Sequence, residues 1–183
     1  CGDLARRLFA AVHPVVHSVS SPRAAEMTKL LENTFRAVTI ALVNEMAMLC
    51  ERMGLDVWEV IAAASTKPFG YMPFFPGPGV GGHCIPVDPF FLLWKAREYD
   101  FHTKFIELAA EVNESMPYHT VSKVVEALNS WQKSVKGARI LVLGVTYKAD
   151  VEDTRNSPAT HVIELLLGMG ADVGYSDPYV SRL

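Results

Sequence analysis

Apolar residues between Pro22 and Met53 recur every three or four positions, at Leu30, Leu31, Phe35, Val38, Leu42, Met46 and Leu49, the period of an α-helix. Ser21 followed by Pro22 supplies an N-cap and a first helical position, and Gly54 supplies a stop. The predicted helix of about 32 residues is roughly 48 Å long at ~1.5 Å per residue, longer than a small domain ordinarily uses. With Ile40 and Val43 added, its apolar positions cover more than one stripe, so packing on several sides is expected. A subunit interface meets that requirement as well as a monomeric core does.

Shorter segments flank this helix. Leu4 to Val12 read as the end of a helix, and Val15 to Val19 as a brief apolar stretch. Asp56 caps a second helix, VWEVIAAAS, after which a loop rich in Pro and Gly runs from Lys67 to Val87. Asp88 and Pro89 form another cap and first-position pair that opens FFLLWKAREYD. Lys104 to Trp131 continue helical, with Pro117 expected to kink or break the run.

The pattern changes after Gly137. ARILVLG, at 138–144, is a nearly continuous apolar run that ends in glycine, as a buried parallel strand does. TYKADVEDTRNS is a polar connection, SPATHVIELLLGMG a helix with Ser157 as cap, and ADVGYSDP a second strand. That order implies a parallel sheet wound in the Rossmann manner, and two strands do not complete one. The predicted class is therefore α + α/β, an all-helical central domain with a long helix followed by a truncated Rossmann-like domain. Boundaries are expected at 1–20 (the end of a preceding domain and a linker), 21–131 (the helical, dimerising part) and 132–183 (the α/β part).

Composition narrows the function classes. Half of the 183 residues are hydrophobic and a fifth are charged, with a net charge of -3, so neither nucleic acid nor an anionic membrane is the expected partner. No apolar run approaches the ~18–20 residues of a membrane span. Three scattered cysteines, Cys1, Cys50 and Cys84, do not make a disulfide framework and point to a reducing compartment, the cytoplasm. The abrupt start at CGDLARRLFAAV and the stop just after SDPYV suggest a fragment.

The candidate chemistry begins at PGPGVGGHCIPVDPFF, where three prolines and four glycines fall within eleven residues around Cys84. GPGVGG superficially matches a dinucleotide fingerprint, but no strand precedes it and Pro78 sits inside the turn. The glycines permit close approach to the backbone, and the prolines hold the loop in place. Cys84 lies four residues before the expected cap Asp88, so its thiolate would feel a helix N-terminus. Asp88 is a candidate base or water-orienting group. An inert buried thiol is the competing reading. Adjacent His83 and Cys84 without a second ligand pair argue against zinc, and no metal site is expected. Lys29 and Asn33 share one face of the long helix; the lysine either snorkels or, held in a pocket, acts as an acid, a base or an oxyanion stabiliser. Lys148 and Arg155 lie in the loop after the first strand, where α/β domains bind ligands. They suit an anionic partner, unless Asp150, Glu152 and Asp153 simply cancel them.

Together these segments resemble the UDP-glucose/GDP-mannose dehydrogenase family over nearly the whole chain. SPRAAEMTKLLENTFRAVTIALVNE is similar to its central helix, with Lys29 and Asn33 as the family's lysine and asparagine. GVGGHCIPVD is similar to its catalytic-cysteine segment, and GVTYKADVEDTRNSP to the opening of its UDP-binding domain. The resemblance implies two-step, NAD-dependent oxidation of a nucleotide sugar at C6, through a thiohemiacetal and a thioester on Cys84. It makes Lys29 an oxyanion stabiliser or proton-transfer group, and Asn33 and Asp88 orienting groups. Lys148, Gly81, Gly82 and Phe75 become substrate contacts and Arg155 a cofactor contact, while His83 is left without a role.

It further implies a homodimer built on the long helix. The segment KPFGYMPFFPGPG before HCIPVDPFF is closer to the UDP-N-acetylhexosamine branch, with UDP-N-acetylglucosamine favoured over UDP-glucose, UDP-N-acetylmannosamine and GDP-mannose. The family's N-terminal NAD-binding domain and the last part of its UDP-binding domain are not found, so this piece is not expected to turn over alone. The alternative from another class is a non-catalytic dimerisation module.

Overall fold

Three of the expected helix starts carry their caps in the computed structural model, which describes all of residues 1–183. Ser21 Oγ accepts the Ala24 N–H at 3.2 Å at the start of α2, Pro22–Met53. Asp56 accepts the Trp58 N–H at 2.9 Å and opens α3, Val57–Ser65. Ser157 accepts from Ala159 N–H at 3.3 Å and opens α6, Pro158–Gly168, with Pro158 in its first turn. Each cap satisfies an amide that has no partner within its helix. At the other end of α2, Gly54 takes φ +70°, and the Leu55 N–H closes onto the Cys50 carbonyl at 2.8 Å.

Asp88 does not cap its helix. Val87 occupies the cap position of α4, Asp88–Arg97, and makes no side-chain capping bond. Asp88 is the first helical residue, with Pro89 after it. Its carboxylate accepts instead from Asn33, a partner that local spacing cannot reveal. The helix also stops at Arg97, short of the Asp100 that the sequence pattern includes. In contrast, α5, Lys104–Ser130, runs through the buried Pro117 without a break. Proline deprives the Asn113 carbonyl of its helical donor, and that carbonyl faces the Cα of Gly79.

The chain forms two compact units, residues 1–32 and 33–183. The first holds α1, Gly2–Ala10, with every one of its side chains exposed, and the first turns of α2. In the second, β1 (Arg139–Leu143) and β2 (Asp172–Ser176) pair in parallel, from Arg139 opposite Asp172 to Leu143 opposite Ser176. The class is α + α/β, as expected from the sequence.

One hydrophobic core joins α5, α6 and the sheet through Val121, Val135, Val162, Leu166 and Ala171. A smaller one collects Val145, Ile163 and Val180. Only one sheet face is covered: Ile140 and Val142 turn inward, whereas Leu141 and Leu143 are 64% and 78% exposed. The apolar run of β1 leads one to expect burial on both faces, and this chain supplies a layer for one.

Candidate functional site

Within residues 33–183, α2 presents Asn33, 1% exposed, to the start of α4. Its Nδ2 donates to Asp88 Oδ2 at 2.5 Å. One turn before that helix, the Cys84 carbonyl accepts the Asp88 N–H at 2.7 Å and the Val87 N–H at 3.1 Å. The cysteine thus enters α4 through its backbone, and its thiol is exposed. Cys1 is exposed as well, and Cys50 is buried in α2.

Of the glycines just upstream of Cys84, Gly79, Gly81 and Gly82 are closed in by protein, whereas Gly77 has open space and is held through its N–H. Gly77 donates its N–H to Asn44 Oδ1 at 2.9 Å, and Asn44, wholly buried, donates to Asn113 Oδ1 at 3.3 Å. Asn113 in turn donates to the Ala37 carbonyl at 3.0 Å, which ties α2, α5 and the loop into one amide network. Gly81 lies against the loop that follows β1: a Cβ there would stand 2.7 Å from Tyr147 Cβ, 2.8 Å from the Asn156 carbonyl and 2.8 Å from Pro158 Cδ. Gly82, at φ +89°, would meet the Tyr147 ring at 3.0 Å and accepts from Asn156 Nδ2 at 3.3 Å. The close approach that the sequence assigns to a ligand is made here by Tyr147, Asn156 and Pro158. The N–H groups of Gly81 and Gly82 make no bond within the chain.

The loop after β1 is braced from inside. Tyr147 N–H donates to the Asp153 carbonyl at 3.1 Å, and Thr146 Oγ1 to the Lys148 carbonyl at 2.9 Å. Arg155 grips Asp153 through Nε at 3.0 Å and Nη2 at 2.9 Å. That grip, with the Arg155 backbone N–H, lowers the Asp153 pKa to about 2 and raises that of Arg155. Asp177 anchors the start of the loop: its carboxylate accepts from Val145 N–H at 2.9 Å and from Tyr179 N–H at 2.8 Å. These backbone bonds hold its pKa below the usual carboxylate value.

The structure therefore brings together Cys84, Asp88, Asn33, Gly81 and Gly82, and sets Lys148, exposed, directly after the tyrosine on which the glycines rest. Phe75 lies instead on Trp58 of α3, rings stacked with centroids 6.0 Å apart. Arg155 is occupied by Asp153 through part of its guanidinium, although its side chain is 72% exposed. Lys29, in the unit of residues 1–32, pairs with Glu32 at 3.2 Å. His83 stands edge-on to Tyr147, centroids 6.4 Å apart. Sequence reasoning missed Tyr147, Asn156, Asn44 and Asn113, whose importance lies in contacts across 33 to 76 residues of chain.

A cavity of about 460 Å³ backs onto this site. Its wall includes Thr34, Ile85 and Pro89, the chain neighbours of Asn33, Cys84 and Asp88. Thr34 Oγ1 is buried without a hydrogen-bond partner.

Comparison with known proteins gives two family matches. The model for the central domain of the UDP-glucose/GDP-mannose dehydrogenase family matches residues 23–115, and the one for its UDP binding domain residues 141–183. A UDP-N-acetyl-D-mannosamine dehydrogenase of Methanococcus maripaludis is 42% identical over 88% of this chain and 36% of its own length. A UDP-N-acetyl-D-glucosamine 6-dehydrogenase of Pseudomonas aeruginosa is 41% identical over 90% of this chain and 39% of its own. The solved UDP-D-ManNAc dehydrogenase of Pyrococcus horikoshii superposes with a TM-score of 0.91 at 39% identity, covering 98% of this chain and 42% of that one. The chain thus spans 36–42% of the length of these relatives.

Proposed function

The chain belongs to the UDP-glucose/GDP-mannose dehydrogenase family, and from that premise we propose that it is the nucleophile-bearing part of a longer, cytoplasmic, NAD-dependent UDP-sugar 6-dehydrogenase. The observation that carries this reading is the seating of Cys84. Its carbonyl holds the first amide of α4, beside an Asp88 already bonded to Asn33, on a loop pressed against the neighbour of Lys148.

Two two-electron oxidations separate a sugar's C6 alcohol from its acid, and NAD, when bound, supplies the acceptor for each. The residues of this chain fit NAD only at its edge. GPGVGG follows no strand, and protein fills the approach to Gly79 and Gly81. Arg155, with its exposed guanidinium, is the residue here that would touch the cofactor. The dinucleotide's own domain belongs elsewhere in the longer enzyme.

Cys84 holds the sugar between the oxidations. Its thiolate adds to the C6 aldehyde, a C–S bond forms, and the carbonyl oxygen takes a proton to give the thiohemiacetal. Oxidation of that adduct leaves a thioester. Water then attacks the acyl carbon, the C–S bond breaks, and the thiol and the uronate are released. One sugar consumes two acceptors and one water. Lys29 stabilises the developing oxyanion or relays its proton, and Asn33 and Asp88 orient the water. Lys148 contacts the diphosphate, Phe75 lines the substrate's path, and Gly81 and Gly82 offer their unbonded N–H groups to it.

The substrate is a UDP-N-acetylhexosamine. UDP-N-acetylglucosamine is the first reading, from the HCIPVDPFF segment; the second, UDP-N-acetylmannosamine, is favoured by the names of two of the three relatives above. The enzyme works as a homodimer. In support, α2 exposes Phe35, Leu42, Met46, Leu49 and Met53 at heptad-like spacing along one side.

The test is Cys84→Ser in the full-length enzyme, assayed for uronate with both acetamido sugars. Loss of uronate from the preferred epimer supports the assignment, and undiminished steady-state production removes it.

A further inference from the structure

Tyr147 and Cys84 lie in segments matched by different domain models of the family, 141–183 and 23–115. Yet Tyr147 is the seat of the cysteine's loop. Its Cβ underlies Gly81, its ring underlies Gly82, and the His83 ring stands edge-on to it. Only glycine fits at two successive positions, because a side chain at either one would have to enter the tyrosine. The seat is stiff: Tyr147 N–H is held by the Asp153 carbonyl and Asp153 by Arg155. A second tie, from Asn156 Nδ2 to the Gly82 carbonyl at 3.3 Å, comes from the far end of the same loop. Asn156 reaches it from φ +53°, a backbone region that asparagine tolerates better than most residues.

The residue after Tyr147 is Lys148, on the part matched by the UDP binding domain. One loop therefore carries a nucleotide contact on one residue and the support of the nucleophile on the next. We propose that Tyr147 is a positioning residue that couples the two sites, so that occupation of the nucleotide site by the substrate's UDP end sets the Cys84 thiol in its reactive place. The inference rests on the reading of Cys84 as nucleophile and Lys148 as nucleotide contact. A ligand shifts such an equilibrium only through contacts that differ between the states. Here the differing contact is the seat itself, which is complete only when the loop after β1 holds the shape that presents Lys148.

The coupling is readable without turnover. In the full-length enzyme, the rate of Cys84 alkylation by iodoacetamide is measured with and without UDP, beside steady-state kinetics on the UDP-sugar. UDP changes the alkylation rate of the wild type several-fold. Tyr147→Ala abolishes that response and lowers kcat by on the order of 10²-fold, the cost of misplacing a reacting group by about 1 Å, while KM moves far less. Tyr147→Phe restores both, since the seat uses the ring and Cβ and no hydroxyl bond. If Tyr147→Ala unfolds, Asn156→Gly decides: it keeps the positive φ, removes only the bond to Gly82, and weakens the UDP response in the same sense.

A wild-type UDP response and kcat in the folded Tyr147→Ala enzyme, or in Asn156→Gly where the alanine variant is lost, overturns the coupling. If Cys84→Ser is inactive while Tyr147→Ala behaves as wild type, the coupling alone fails. Uronate production by Cys84→Ser removes the nucleophile assignment itself, whatever Tyr147 does.

Discussion

Asn33 donates to Asp88 at 2.5 Å across 55 residues of chain, so the fourth turn of the long helix and the first turn of α4 share one hydrogen bond. The amide is 1% exposed, and its Nδ2 donates to Asp88. Asp88 still sits in the first turn of α4, where its charge complements the helix dipole. The bond fixes the helix that begins four residues after Cys84, and so couples α2 to the turn that carries Cys84.

Removing the acceptor leaves a buried donor without a partner, which costs about 1–3 kcal/mol. Asp88→Ala is therefore expected to lower the unfolding free energy by about that amount. Asp88→Asn keeps a carbonyl oxygen for Asn33 and is expected to lose clearly less. Urea unfolding of the two variants checks the order, and an alanine variant as stable as the asparagine one would count against the bond.

The loop's glycines are not interchangeable. Gly77 has open space around its Cα, and its N–H bond to Asn44 survives substitution. Gly77→Ala is expected to stay within about 0.5 kcal/mol of wild type. Gly79 has φ +131°, and a Cβ there would stand 3.2 Å from the Asn113 carbonyl and 3.4 Å from Pro158. Gly79→Ala is expected to cost at least 1 kcal/mol, roughly the penalty of a strained backbone position. Thermal denaturation of the pair separates them, and equal melting temperatures would contradict the geometry.

These outcomes mark where the sequence was legible. Ser21, Asp56 and Ser157 could be read as caps because a cap acts within three residues of itself. Asp88 carries the same local signature, but a buried asparagine elsewhere in the chain claims its carboxylate. Lys29 with Asn33, and Cys84 with Asp88, were visible as residue types at suggestive spacing. What the glycines are for was not, because Tyr147, Asn156 and Pro158 reach them only through the packing of α5 on α6 and of the loop after β1. Pro117 misleads in the same way, since the carbonyl it frees lies against a glycine and the helix runs on. The bare face of β1, with Leu141 and Leu143, was illegible for another reason: apolar character tells which residues favour burial and not whether this chain supplies the cover.

The Asp153–Arg155 pair predicts a specific acid response. In the fold Asp153 titrates at about 2 rather than its ordinary 3.8, chiefly because the Arg155 side chain bonds the carboxylate. As pH falls, the unfolded chain takes up this proton first. The stabilisation is complete above pH 3.8, shrinks below it, and is gone once pH passes through about 2. The Arg155 side chain is 72% exposed, so solvent screening keeps the effect modest. Asp153→Asn is expected to be less stable than wild type at neutral pH, with the gap closing across that window. Melting temperatures of both proteins over the acid range measure it, and a gap that widens on acidification reverses the sign of the argument.

An exposed apolar stripe runs along α2. Phe35, Leu42 and Leu49 follow one another at seven-residue intervals, as do Met46 and Met53, with exposures from 40% to 62%. Residues seven apart face the same side of a helix and form the seam of a paired helix. On the same helix Ala37, Ala41, Val43 and Asn44 are already buried, so the stripe is a second apolar side rather than the edge of the core. A charge at its middle has no low-dielectric partner in the monomer but must be desolvated in a pair. Leu42→Lys with Leu49→Lys is therefore expected to leave the monomer's fold intact, by circular dichroism, and to raise the dissociation constant of the proposed dimer by at least 10²-fold, equivalent to ~2.7 kcal/mol. Sedimentation velocity of the full-length protein reads this directly. An unshifted dimer would place the subunit contact on another surface and leave the stripe to a different neighbour.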